Sequence, residues 1–427
     1  MPKVLVIGSG GREHALCDGL ARSPQVERVY CAPGNAGTAI VAENVPIVAD
    51  DHDALARFAR EKNIDLTVVG PEGPLCGGIV DVFQKAGLII FGPTALAARI
   101  EGDKAYAKRL MKLAKVPTAE ARIFDRYRDA QAYVATRDTG VVVKAAGLAA
   151  GKGVSVCADP ADALLALERM MVEREFGEAG DTVVVEEMLK GQELSVFALV
   201  DERTIYVLES AQDHKALRDG NEGPNTGGMG AYSPAPIATS DVLSVVERDV
   251  LVPIVDTLRT DGASFSGLLY VGLMLTAAGP KVLEFNCRFG DPETQAVLMR
   301  LESDLYEGLH ATATGRLEEI EIRWSPRSSV CVVMASDGYP GRFVSGKAIG
   351  GLDRAAAMPD VRVFHGATRR VGGQVVTSGG RVLGVTALGT TLGEAREKAY
   401  AAVEVIQFEN AHYRRDIGAK GIGGRGG

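Results

Sequence analysis

No apolar run in the sequence reaches the roughly 18 residues that a membrane-spanning helix needs, and no charged-then-apolar leader opens the chain. These absences argue against membrane insertion and export, and predict a cytoplasmic protein. Positive charge is not in excess, because the formal net charge is −8. The sequence therefore predicts no nucleic-acid or membrane-surface partner, and an anionic substrate must be bound by a local site.

Cysteine is scarce and scattered. The chain has 6 cysteines in 427 residues and no CxxC pair. Zinc sites and disulfide frameworks use closely spaced or regularly repeated cysteines, so the sequence predicts reduced thiols and neither kind of site. Apolar residues (46%) and charged residues (24%) are present in the proportions of a globular protein. A chain of this length is expected to form roughly two to four domains.

Strands and helices alternate through residues 1–100, and this alternation predicts a parallel α/β sheet. Residues 191–323 contain strands that look antiparallel, with a helix predicted from Ser240 to Thr260. A further unit begins at Ser325. Residues 418–427, GAKGIGGRGG, show no periodicity and are predicted to be disordered.

A glycine-rich turn, Gly8 to Gly11, follows the first predicted strand and opens a helix that contains Glu13 and His14. Glycines let the backbone approach an anion at a helix N-terminus. A dinucleotide site would also need an acidic residue at the end of the second strand, but that strand ends in CAPGNAG. The turn is therefore interpreted either as a site for a phosphate-bearing substrate or as a merely tight turn.

Two lysines bracket a loop of small residues, KAAGLAAGKG, which leaves a predicted strand at Lys144 and reaches Lys152. Backbone N–H groups and two ammonium ions in such a loop can bind a polyphosphate. A flexible hairpin connection is the alternative interpretation. Lys104 lies on a predicted helix and, taken alone, is an ordinary surface lysine.

The strand VVVEEML, Val183 to Leu189, is followed closely by Glu193. An exposed strand end can offer backbone groups to the edge of adenine, and a carboxylate after it can accept both ribose hydroxyls. A core strand with polar ends is an equally good interpretation of the same residues.

A carboxylate and an amide stand two residues apart at Glu284 and Asn286, so both side chains face the same side of a predicted strand. Hard divalent cations prefer such oxygens, and a buried carboxylate needs a partner. The pair therefore predicts a metal site, with a basic neighbour as the alternative. Arg288 is placed to hold a phosphate or a migrating oxyanion, and Asp291 and Glu293 are predicted to cap a helix.

The segment from Ala211 to Ser233 is long, polar and rich in glycine. Loops of this length are uncommon unless they are functional or disordered. Asp213, His214 and Lys215 could together bind a substrate that carries both an amine and a carboxylate. For His214, a role as catalytic base and a structural role both remain open.

Several long motifs give the chain a specific resemblance to a known family. The chain resembles the glycinamide ribonucleotide synthetase (phosphoribosylamine–glycine ligase) family of ATP-grasp enzymes, over residues 1 to about 417. The motifs that carry the resemblance are VLVIGSGGREHAL, APGNAGTA, VVGPEGPLCGGIVD, FGPT, VVKAAGLAAGKGV, AQDHK, GPNTGGMGAYSPAP, LEFNCRFGDPETQ and SGGRVLGVTALG.

The resemblance implies an α/β (α+β) protein of ATP-grasp fold, with an N-terminal parallel-sheet substrate domain, an inserted lid and a small C-terminal domain. The implied boundaries are 1–101 for the N-terminal domain, 102–119 and 189–324 for the central ATP-grasp domain, 120–188 for the lid, 325–417 for the C-terminal domain and 418–427 for a disordered tail.

The resemblance also implies how ATP and a metal ion are bound. Lys104 and Lys144 would contact the phosphates, while Glu186 and Leu189 would offer backbone groups to adenine. Glu284 and Asn286 would bind Mg²⁺ or Mn²⁺. The implied ATP-binding set is Lys104, Lys144, Gly147, Gly151, Lys152, Gly153, Glu186, Glu187, Leu189 and Glu193.

By the same resemblance, the GSGGREH turn and Arg288 would hold the phosphate of 5-phosphoribosylamine, and the AQDHK and PNTGGMG segments would shape the glycine and amine pockets. The implied catalytic residues are Arg288, Lys144 and Asp213. The implied substrate-binding set is Gly10, Gly11, Glu13, Asp213, His214, Lys215, Asn225, Thr226, Gly227, Gly228, Arg288 and Gly290.

The implied reaction joins glycine to 5-phosphoribosylamine through glycyl phosphate, with ATP converted to ADP and phosphate, in purine biosynthesis. The resemblance further implies a cytoplasmic monomer that makes a transient contact with the preceding amidotransferase. Two alternatives stay open: another ATP-grasp carboxylate–amine ligase of nucleotide metabolism, and a catalytically silent ATP-binding regulatory protein.

Overall fold

The N-terminal region contains a parallel five-stranded sheet, as the alternation of strands and helices predicted. The computed structural model describes residues 1–149 and 151–423. The strand order is β3-β2-β1-β4-β5. The strands are β1 (Lys3–Gly8), β2 (Arg28–Pro33), β3 (Glu43–Asn44), β4 (Leu66–Val69) and β5 (Ile90–Phe91). The helices are α1 (Gly11–Ala21), α2 (Thr38–Val41), α3 (His52–Lys62), α4 (Glu72–Cys76), α5 (Ile79–Lys85) and α6 (Ala95–Gly102).

Both faces of this sheet are covered. Leu5 and Ile7 of β1 pack in one apolar cluster with helices α3 and α5, whereas Val4 and Val6 pack in a second cluster with α1. Successive strand residues point to opposite faces, so an unbroken apolar run is the pattern of a strand that is buried on both sides. The carboxyl end of β1 therefore delivers the glycine-rich turn to the start of α1.

An inserted unit of residues 121–187 follows helix α7 (Lys104–Ala114). Its antiparallel sheet has the order β6-β9-β7-β8, and its apolar core is separate from the others. Its elements are β6 (Ala121–Phe124), α8 (Tyr127–Ala135), β7 (Val141–Ala145), β8 (Val154–Cys157), α9 (Pro160–Leu167), a π-helical turn (Glu168–Val172), a 3₁₀ turn (Gly177–Gly180) and β9 (Val183–Glu187).

The central sheet is antiparallel, in the order β11-β10-β16-β17. The predicted helix is confirmed, because the chain is helical from Ser240 to Thr260. Central elements include β10 (Gln192–Asp201), β11 (Ile205–Val207), β12 (Gln212–Asp213), β13 (Ala216–Arg218), a 3₁₀ turn (Asp219–Asn221), β14 (Glu222–Asn225), β15 (Gly230–Ser233), α10 (Ser240–Val246), a π-helical turn (Glu247–Leu251) and α11 (Val252–Thr260). They continue with β16 (Ser266–Thr276), β17 (Gly279–Asn286), α12 (Glu293–Leu298), α13 (Leu305–Ala313) and a 3₁₀ turn (Leu317–Glu319).

The polar segment of residues 211–233 is structured, although its sequence suggested a loop. It forms β12 to β15, and β13 and β14 pair as a hairpin. Strands β12 and β15 join a sheet of order β12-β15-β18-β22-β19, so the C-terminal sheet takes two strands from the central region. The remaining elements are β18 (Ser328–Ala335), α14 (Leu352–Ala356), β19 (Val361–His365), β20 (Thr368–Val371), β21 (Gln374–Thr377), β22 (Arg381–Gly389), α15 (Leu392–Val405) and α16 (Ala419–Ile422).

The first residues of the C-terminal tail form a short helix, contrary to the expectation of disorder from residue 418. Helix α16 follows the fully buried Ile417, whose side chain belongs to the C-terminal core and anchors the segment. Residues 424–427 lie outside the described part of the chain. Within that described part, no helix has both the length and the apolar character needed to cross a membrane. The domain boundaries given above stay predictions.

Candidate active site

Helix α7 brings a lysine to the small-residue loop of the inserted unit. The Nζ of Lys104 donates to the carbonyl of Gly147 at 3.0 Å, and its backbone N–H donates to the carbonyl of Ala146 at 2.8 Å. Burial lowers the pKa of Lys104. The loop approaches its neighbours closely, since a Cβ on Gly147 would lie 2.7 Å from the Cα of Ala179. Lys104 therefore links the central domain to the predicted phosphate loop.

The far side of that loop contains Gly151, Lys152 and Gly153. Gly151 has a φ of +74°, which favours glycine, and Lys152 is exposed. Gly153 accepts the backbone N–H of Ala145 at 2.8 Å. Ala150, which the predicted loop contains, lies outside the described residues. Phosphate binding by Gly151, Lys152 and Gly153 stays a prediction.

Lys144 is part of a buried ion cluster that the sequence did not predict. Its Nζ lies 3.0 Å from Glu186 Oε2, and the Nζ of Lys108 lies 3.1 Å from Glu186 Oε1. Lys144 also donates to the carbonyl of Leu283, at 3.0 Å. Burial lowers the pKa of Lys108 to about 8. The sequence feature that could have indicated Lys108 as a site residue is helical spacing, because Lys104 and Lys108 stand four apart on α7 and therefore lie on the same face.

The predicted adenine-binding strand end is β9. The side chain of Glu186 is buried in the lysine cluster, which leaves only its backbone for a nucleotide. Glu187 is exposed and accepts from Lys281 Nζ at 2.9 Å and from the backbone N–H of Glu120 at 3.1 Å. Leu189 follows the end of the strand. Their contacts with adenine stay predictions.

Lys215 lies between two carboxylates from different strands. Its Nζ is 3.1 Å from Glu193 Oε2 and 3.4 Å from Glu284 Oε1. Burial alone would lower the pKa of Lys215, but Glu193, Glu284 and Asp213 together raise it well above its usual value. The ammonium of Lys215 therefore stays charged at neutral pH. It joins the predicted ribose carboxylate to the predicted metal carboxylate.

Glu284 lies at the point where cations from several segments converge. Lys215 lowers the pKa of Glu284 to about 2 against the effect of burial, with further contributions from Lys144, Lys104 and Arg288. Glu284 pairs with Gly272 of β16, whose added Cβ would lie only 3.2 Å from the Glu284 Cγ. Glycine at this position leaves the carboxylate room, and Glu284 is ionised throughout the physiological pH range.

The donor set at the end of β17 fits a divalent cation that is bound together with phosphates. Glu284 and Asn286 supply a carboxylate and an amide oxygen from one strand face, and Asn286 Oδ1 lies 3.4 Å from Arg288 NH2. No group of three or more His, Cys, Asp or Glu side chains suited to a metal occurs in residues 1–149 and 151–423. Mg²⁺ commonly takes one or two protein oxygens, with phosphate and water completing its octahedron.

Arg288 is held by carboxylates of the N-terminal region. Its Nε lies 3.1 Å from Glu72 Oε2 and its NH2 lies 2.9 Å from Glu101 Oε1. Burial would raise the pKa of Glu72, but Arg288 and Arg12 lower it to about 2. The guanidinium is thus fixed next to the metal pair. Its predicted contact with a phosphate or an oxyanion is untested.

Asp213 and His214 are both buried on or next to strand β12. Burial raises the pKa of Asp213 to about 7 and lowers the pKa of His214 to about 3. The backbone N–H of His214 donates to the carbonyl of Gly230 at 2.9 Å, and its Nδ1 has no hydrogen-bond partner among the described residues. His214 is therefore neutral at pH 7. The choice between a structural and a catalytic role for it stays open.

The segment from Asn225 to Gly228 lies against the Asp213–Lys215 segment. Thr226 Oγ1 donates to the carbonyl of Lys215 at 2.8 Å and accepts the backbone N–H of Gly228 at 3.0 Å. The backbone N–H of Gly227 donates to the hydroxyl of Tyr339 at 2.9 Å. The structure thus brings the two predicted substrate segments together, and Tyr339 is a neighbour that the sequence did not predict.

Arg381 connects the glycine segment to the turn before α12. Its NH1 donates to the carbonyls of Gly227 and Asp291, each at 2.6 Å, and its NH2 lies 3.1 Å from Asp291 Oδ2. Arg381 stands in the SGGRVLGVTALG motif, but sequence reasoning assigned it no role. The sequence feature that could have indicated Arg381 as a site residue is its position after two glycines at the start of a predicted strand.

The prediction that Asp291 and Glu293 cap helix α12 is wrong. Pro292 occupies the N-cap position, and no side chain caps the helix. Asp291 accepts from Arg381 and Gln295 instead, and Glu293 Oε1 accepts from the hydroxyl of Tyr270 at 3.2 Å. Arg381 and Tyr270, which belong to other elements, are partners of these two carboxylates.

A cavity of about 400 Å³ lies between the first glycine-rich turn and the C-terminal sheet. Its lining includes Gly10, Gly11, Asn35, Asp291, Thr368 and Arg381. Glu13 holds the turn in place, because its Oε2 accepts the backbone N–H of Gly10 at 2.5 Å. The carbonyl of nearby Gly290 accepts from Thr294. Arg381 is thus the arginine that lines this cavity, while Arg288 pairs with Glu72 and Glu101.

The antiparallel central sheet and the inserted four-stranded unit belong to an enzyme of the ATP-grasp class. Sequence profiles described as phosphoribosylglycinamide synthetase match the chain in three parts: the N domain at residues 2–101, the ATP-grasp (A) domain at 102–294 and the C domain at 329–420. The chain belongs to the phosphoribosylglycinamide synthetase family of phosphoribosylamine–glycine ligases.

Individual relatives agree over nearly the whole chain. The phosphoribosylamine–glycine ligase of Rhodopirellula baltica is 50% identical over 426 residues, which cover 98% of each chain. That of Allochromatium vinosum is 51% identical over 423 residues, covering 98% of this chain and 99% of the relative. The crystal structure of the Thermotoga maritima ligase has a TM-score of 0.82 at 30% identity, covering 97% of this chain and 99% of that chain.

A more distant likeness concerns the fold alone. The biotin carboxylase domain of the Hydrogenobacter thermophilus 2-oxoglutarate carboxylase has a TM-score of 0.71 at 16% identity, covering 96% of this chain and 91% of that chain. The predicted ATP-grasp fold is thereby confirmed, together with the family that the sequence motifs suggested.

Proposed function

We propose that this chain uses ATP to join the carboxyl group of glycine to the amino group of 5-phosphoribosylamine, through glycyl phosphate. The observation that carries the proposal is the convergence of Lys104, Lys144 and Lys215 on the carboxylate of Glu284, at the junction of the central sheet and the inserted unit. Such a concentration of positive charge around an ionised acid suits a metal–triphosphate complex.

The reaction has two steps, and neither needs a covalent bond to the protein. A carboxylate oxygen of glycine forms a bond to the γ-phosphorus of ATP while the bond to the β,γ-bridging oxygen breaks, which gives glycyl phosphate and ADP. The nitrogen of 5-phosphoribosylamine then attacks the acyl carbon and expels phosphate, and the nitrogen loses a proton. Asp213, once ionised, is the proposed acceptor of that proton, because its raised pKa of about 7 makes it a base matched to neutral pH.

The lysines of the site act on the triphosphate through their charge. Lys104 already bonds to the phosphate loop at Gly147, and Lys144 extends from the inserted unit toward the strand that carries Glu284. Both ammonium groups can therefore neutralise phosphate oxygens as negative charge moves to ADP. A divalent cation at Glu284 and Asn286, Mg²⁺ or Mn²⁺, would supply further charge neutralisation on the phosphates when bound.

The acceptor half of the site is assigned to the cavity beside Gly10 and Gly11. The start of α1 lines this cavity at Gly11, whereas the N–H of Gly10 is already bonded to Glu13, and Arg381 lines the same cavity with a guanidinium. A phosphate group on the sugar substrate suits this combination. The Asp213–Lys215 and Asn225–Gly228 segments are assigned to glycine and the reacting amine, because they lie against each other next to Glu284.

The inserted unit is proposed to exclude water from the acyl phosphate. It has its own core, and it contacts the central domain through polar contacts of Lys104, Lys108 and Lys144 and through a small apolar cluster of Ala105, Ala146 and Val184. A unit with a separate core can move as a body, and closure over a reactive intermediate prevents its hydrolysis.

A single assay tests the proposed function. ADP formation by the purified protein is expected to require glycine and 5-phosphoribosylamine together, with glycinamide ribonucleotide as the product. An ATP-binding protein without turnover would bind the nucleotide and release no ADP. Another carboxylate–amine ligase would release ADP only with a different acid or amine. Either result would overturn the proposal.

The assembly of the enzyme is proposed to be a monomer that contacts the preceding amidotransferase transiently. The contact is proposed because direct transfer of 5-phosphoribosylamine from the amidotransferase would protect this unstable amine from water. Sedimentation of the protein alone and mixed with that amidotransferase would measure both points, and a stable dimer at assay concentration would contradict the first.

A further inference from the structure

The last described residues of the chain fold back over the β13–β14 hairpin. Arg414 is the central contact, because its side chain is 1% exposed and its NH1 donates to the carbonyl of Ala216 at 3.0 Å. Four other hydrogen bonds join the same two segments. They are Arg414 NH2 to Asn221 Oδ1 (3.1 Å), Gly220 N–H to Asp416 Oδ2 (2.9 Å), Arg415 N–H to Asp219 Oδ1 (2.7 Å) and His412 Nε2 with the carbonyl of Leu217 (3.0 Å).

Lys420 extends from this segment to the active site. Its Nζ donates to the backbone carbonyl of Asp213 at 2.9 Å, while much of its stem is exposed. Its position on α16 is fixed by close packing, since a Cβ on Gly421 would lie 2.6 Å from Leu392 and 2.7 Å from the ring of Tyr232. The ammonium is thus held against Asp213 by the fold of the C-terminal segment.

The carbonyl that Lys420 binds belongs to the segment that supplies Lys215. Two residues further along the chain, Lys215 Nζ reaches Glu193 and Glu284. The charged groups near Lys420 are Asp213, Glu193, Arg414 and Asp416, so Glu193 lies near both lysines. A shift of the segment at Asp213 would therefore change the placement of Lys215 relative to Glu284.

Neither Lys104 nor Lys144, the two proposed triphosphate cations, depends on this contact. Lys104 is fixed by α7 and Gly147, and Lys144 by Glu186 and the carbonyl of Leu283. Loss of the Lys420 hydrogen bond should therefore disturb the sites of the other two substrates directly, and ATP binding less, since it reaches the ATP site only through Lys215 and its partners Glu193 and Glu284.

We infer that Lys420 is a positioning residue for the glycine and amine sites, acting through the backbone carbonyl of Asp213. This inference rests on the proposed function, which assigns the Asp213–Lys215 segment to those substrates. It gives a catalytic consequence to a segment whose sequence suggested disorder.

The test compares Lys420→Met and Lys420→Arg with the control Lys62→Met, an exposed lysine on α3 of the N-terminal region. Lys420→Met is expected to raise the KM of glycine, of 5-phosphoribosylamine or of both by about tenfold, the size expected for a lost hydrogen bond from a charged donor. The KM of ATP should rise less than these two values, because Lys420 affects the ATP site only indirectly, through Lys215. Lys420→Arg should recover most of the loss, and Lys62→Met should behave as wild type.

Two outcomes would overturn the inference in an active wild-type enzyme. One is unchanged KM values in Lys420→Met, and the other is an equal rise in all three KM values. If Lys420→Met lowers the melting temperature, the kinetics of all variants are measured at a temperature at which Lys420→Met is fully folded, and the same split between KM values is required. A wild-type protein with no ADP release in the presence of both substrates would instead contradict the proposed function, so the two failures are distinguishable.

Discussion

The ammonium of Lys215 lies 3.4 Å from the carboxylate of Glu284, the residue to which the metal ion is assigned. This ion pair keeps Glu284 ionised, with a pKa of about 2. A bound divalent cation must compete with Lys215 for the same oxygen or displace it toward Glu193, which already lies 3.1 Å from the ammonium. Metal binding and the position of the substrate segment are therefore coupled.

Glu284→Gln is expected to lower kcat by at least about 100-fold, because a metal ion typically contributes several kcal/mol of charge stabilisation. The change preserves shape and removes only the charge. The measurement is ADP release over a range of Mg²⁺ concentrations, and the variant should need much more metal. Glu307→Gln, at an exposed position of α13, is the matched control. A variant with the metal dependence of the wild type would eliminate Glu284 as a ligand.

Lys144→Met is expected to raise the KM of ATP by about tenfold or more, because a charged contact to phosphate is lost. The KM of glycine should stay nearly unchanged, since Lys144 makes its contacts with Glu186 and Leu283. Steady-state kinetics with each substrate varied in turn measures the difference. Lys112→Met, exposed on α7, controls for loss of one positive charge. Equal effects on both KM values would refute the phosphate assignment.

Glu186→Gln is expected to destabilise the protein by a few kcal/mol, because it leaves Lys108 and Lys144 buried without their common counter-ion. Lys108→Met in the Glu186→Gln background should recover part of the loss, since one uncompensated charge is removed. Chemical unfolding of both single variants and the double variant gives the coupling free energy. Strictly additive effects would mean that Lys108 and Glu186 do not interact.

His14→Gln tests a pH effect. The backbone N–H of His365 donates to His14 Nδ1 at 2.8 Å, and burial lowers the pKa of His14 to about 3. Between about pH 3 and 6.5 the unfolded chain binds a proton here that the folded protein does not, so this contribution to stability falls as pH falls. Between pH 7.5 and pH 5 the free energy of unfolding of the wild type should fall by about 2 kcal/mol for this reason, and that of the variant should not show this loss.

The measurement is the free energy of unfolding of wild type and His14→Gln at pH 7.5 and pH 5. Comparing the two proteins cancels the contributions of other groups, including His365, whose pKa burial lowers to about 4. His52→Gln, on α3, is the control. A difference between wild type and His14→Gln that is the same at both pH values would disprove the account.

Asp213→Asn is expected to remove a limb near pH 7 from the pH profile of kcat/KM. Activity of the wild type should rise as pH increases through the Asp213 pKa of about 7, because only the ionised carboxylate accepts a proton. The effect of Asp213 on stability has the opposite sign. Between about pH 4 and 7 the folded protein holds a proton on Asp213 that the unfolded chain has released, so the contribution of Asp213 to the free energy of unfolding falls as pH rises. A limb that persists in the variant belongs to another group.

Local pattern was sufficient for elements whose partners are near in sequence. The alternation of strands and helices in residues 1–100 predicted the parallel sheet, and the spacing of Glu284 and Asn286 placed both on one face of β17. Period and propensity determine such features, so they can be recognised without the rest of the fold. The ATP-grasp fold and the family followed from long motifs, because these combine many residues.

Pairings across long sequence separations could not be predicted in the same way. Lys108 and Lys144 meet at Glu186 only after the inserted unit has folded against α7, and Arg381 reaches Asp291 across 90 positions. Polar residues 211–233 lacked the apolar alternation of a strand because β15 owes its burial to its neighbours β12 and β18. Tertiary context decided each of these cases.

Strand β15 pairs with β18 through four residue pairs, from Gly230↔Val332 to Ser233↔Ser329. The C-terminal portion therefore cannot be detached as a free-standing module. If the chain were divided just before Ser328, β15 in one fragment and β18 in the other would each become an unpaired edge strand. When the two fragments are expressed together, we expect them to reassociate through these two strands or to aggregate. Neither fragment alone should retain a complete pocket for the sugar phosphate.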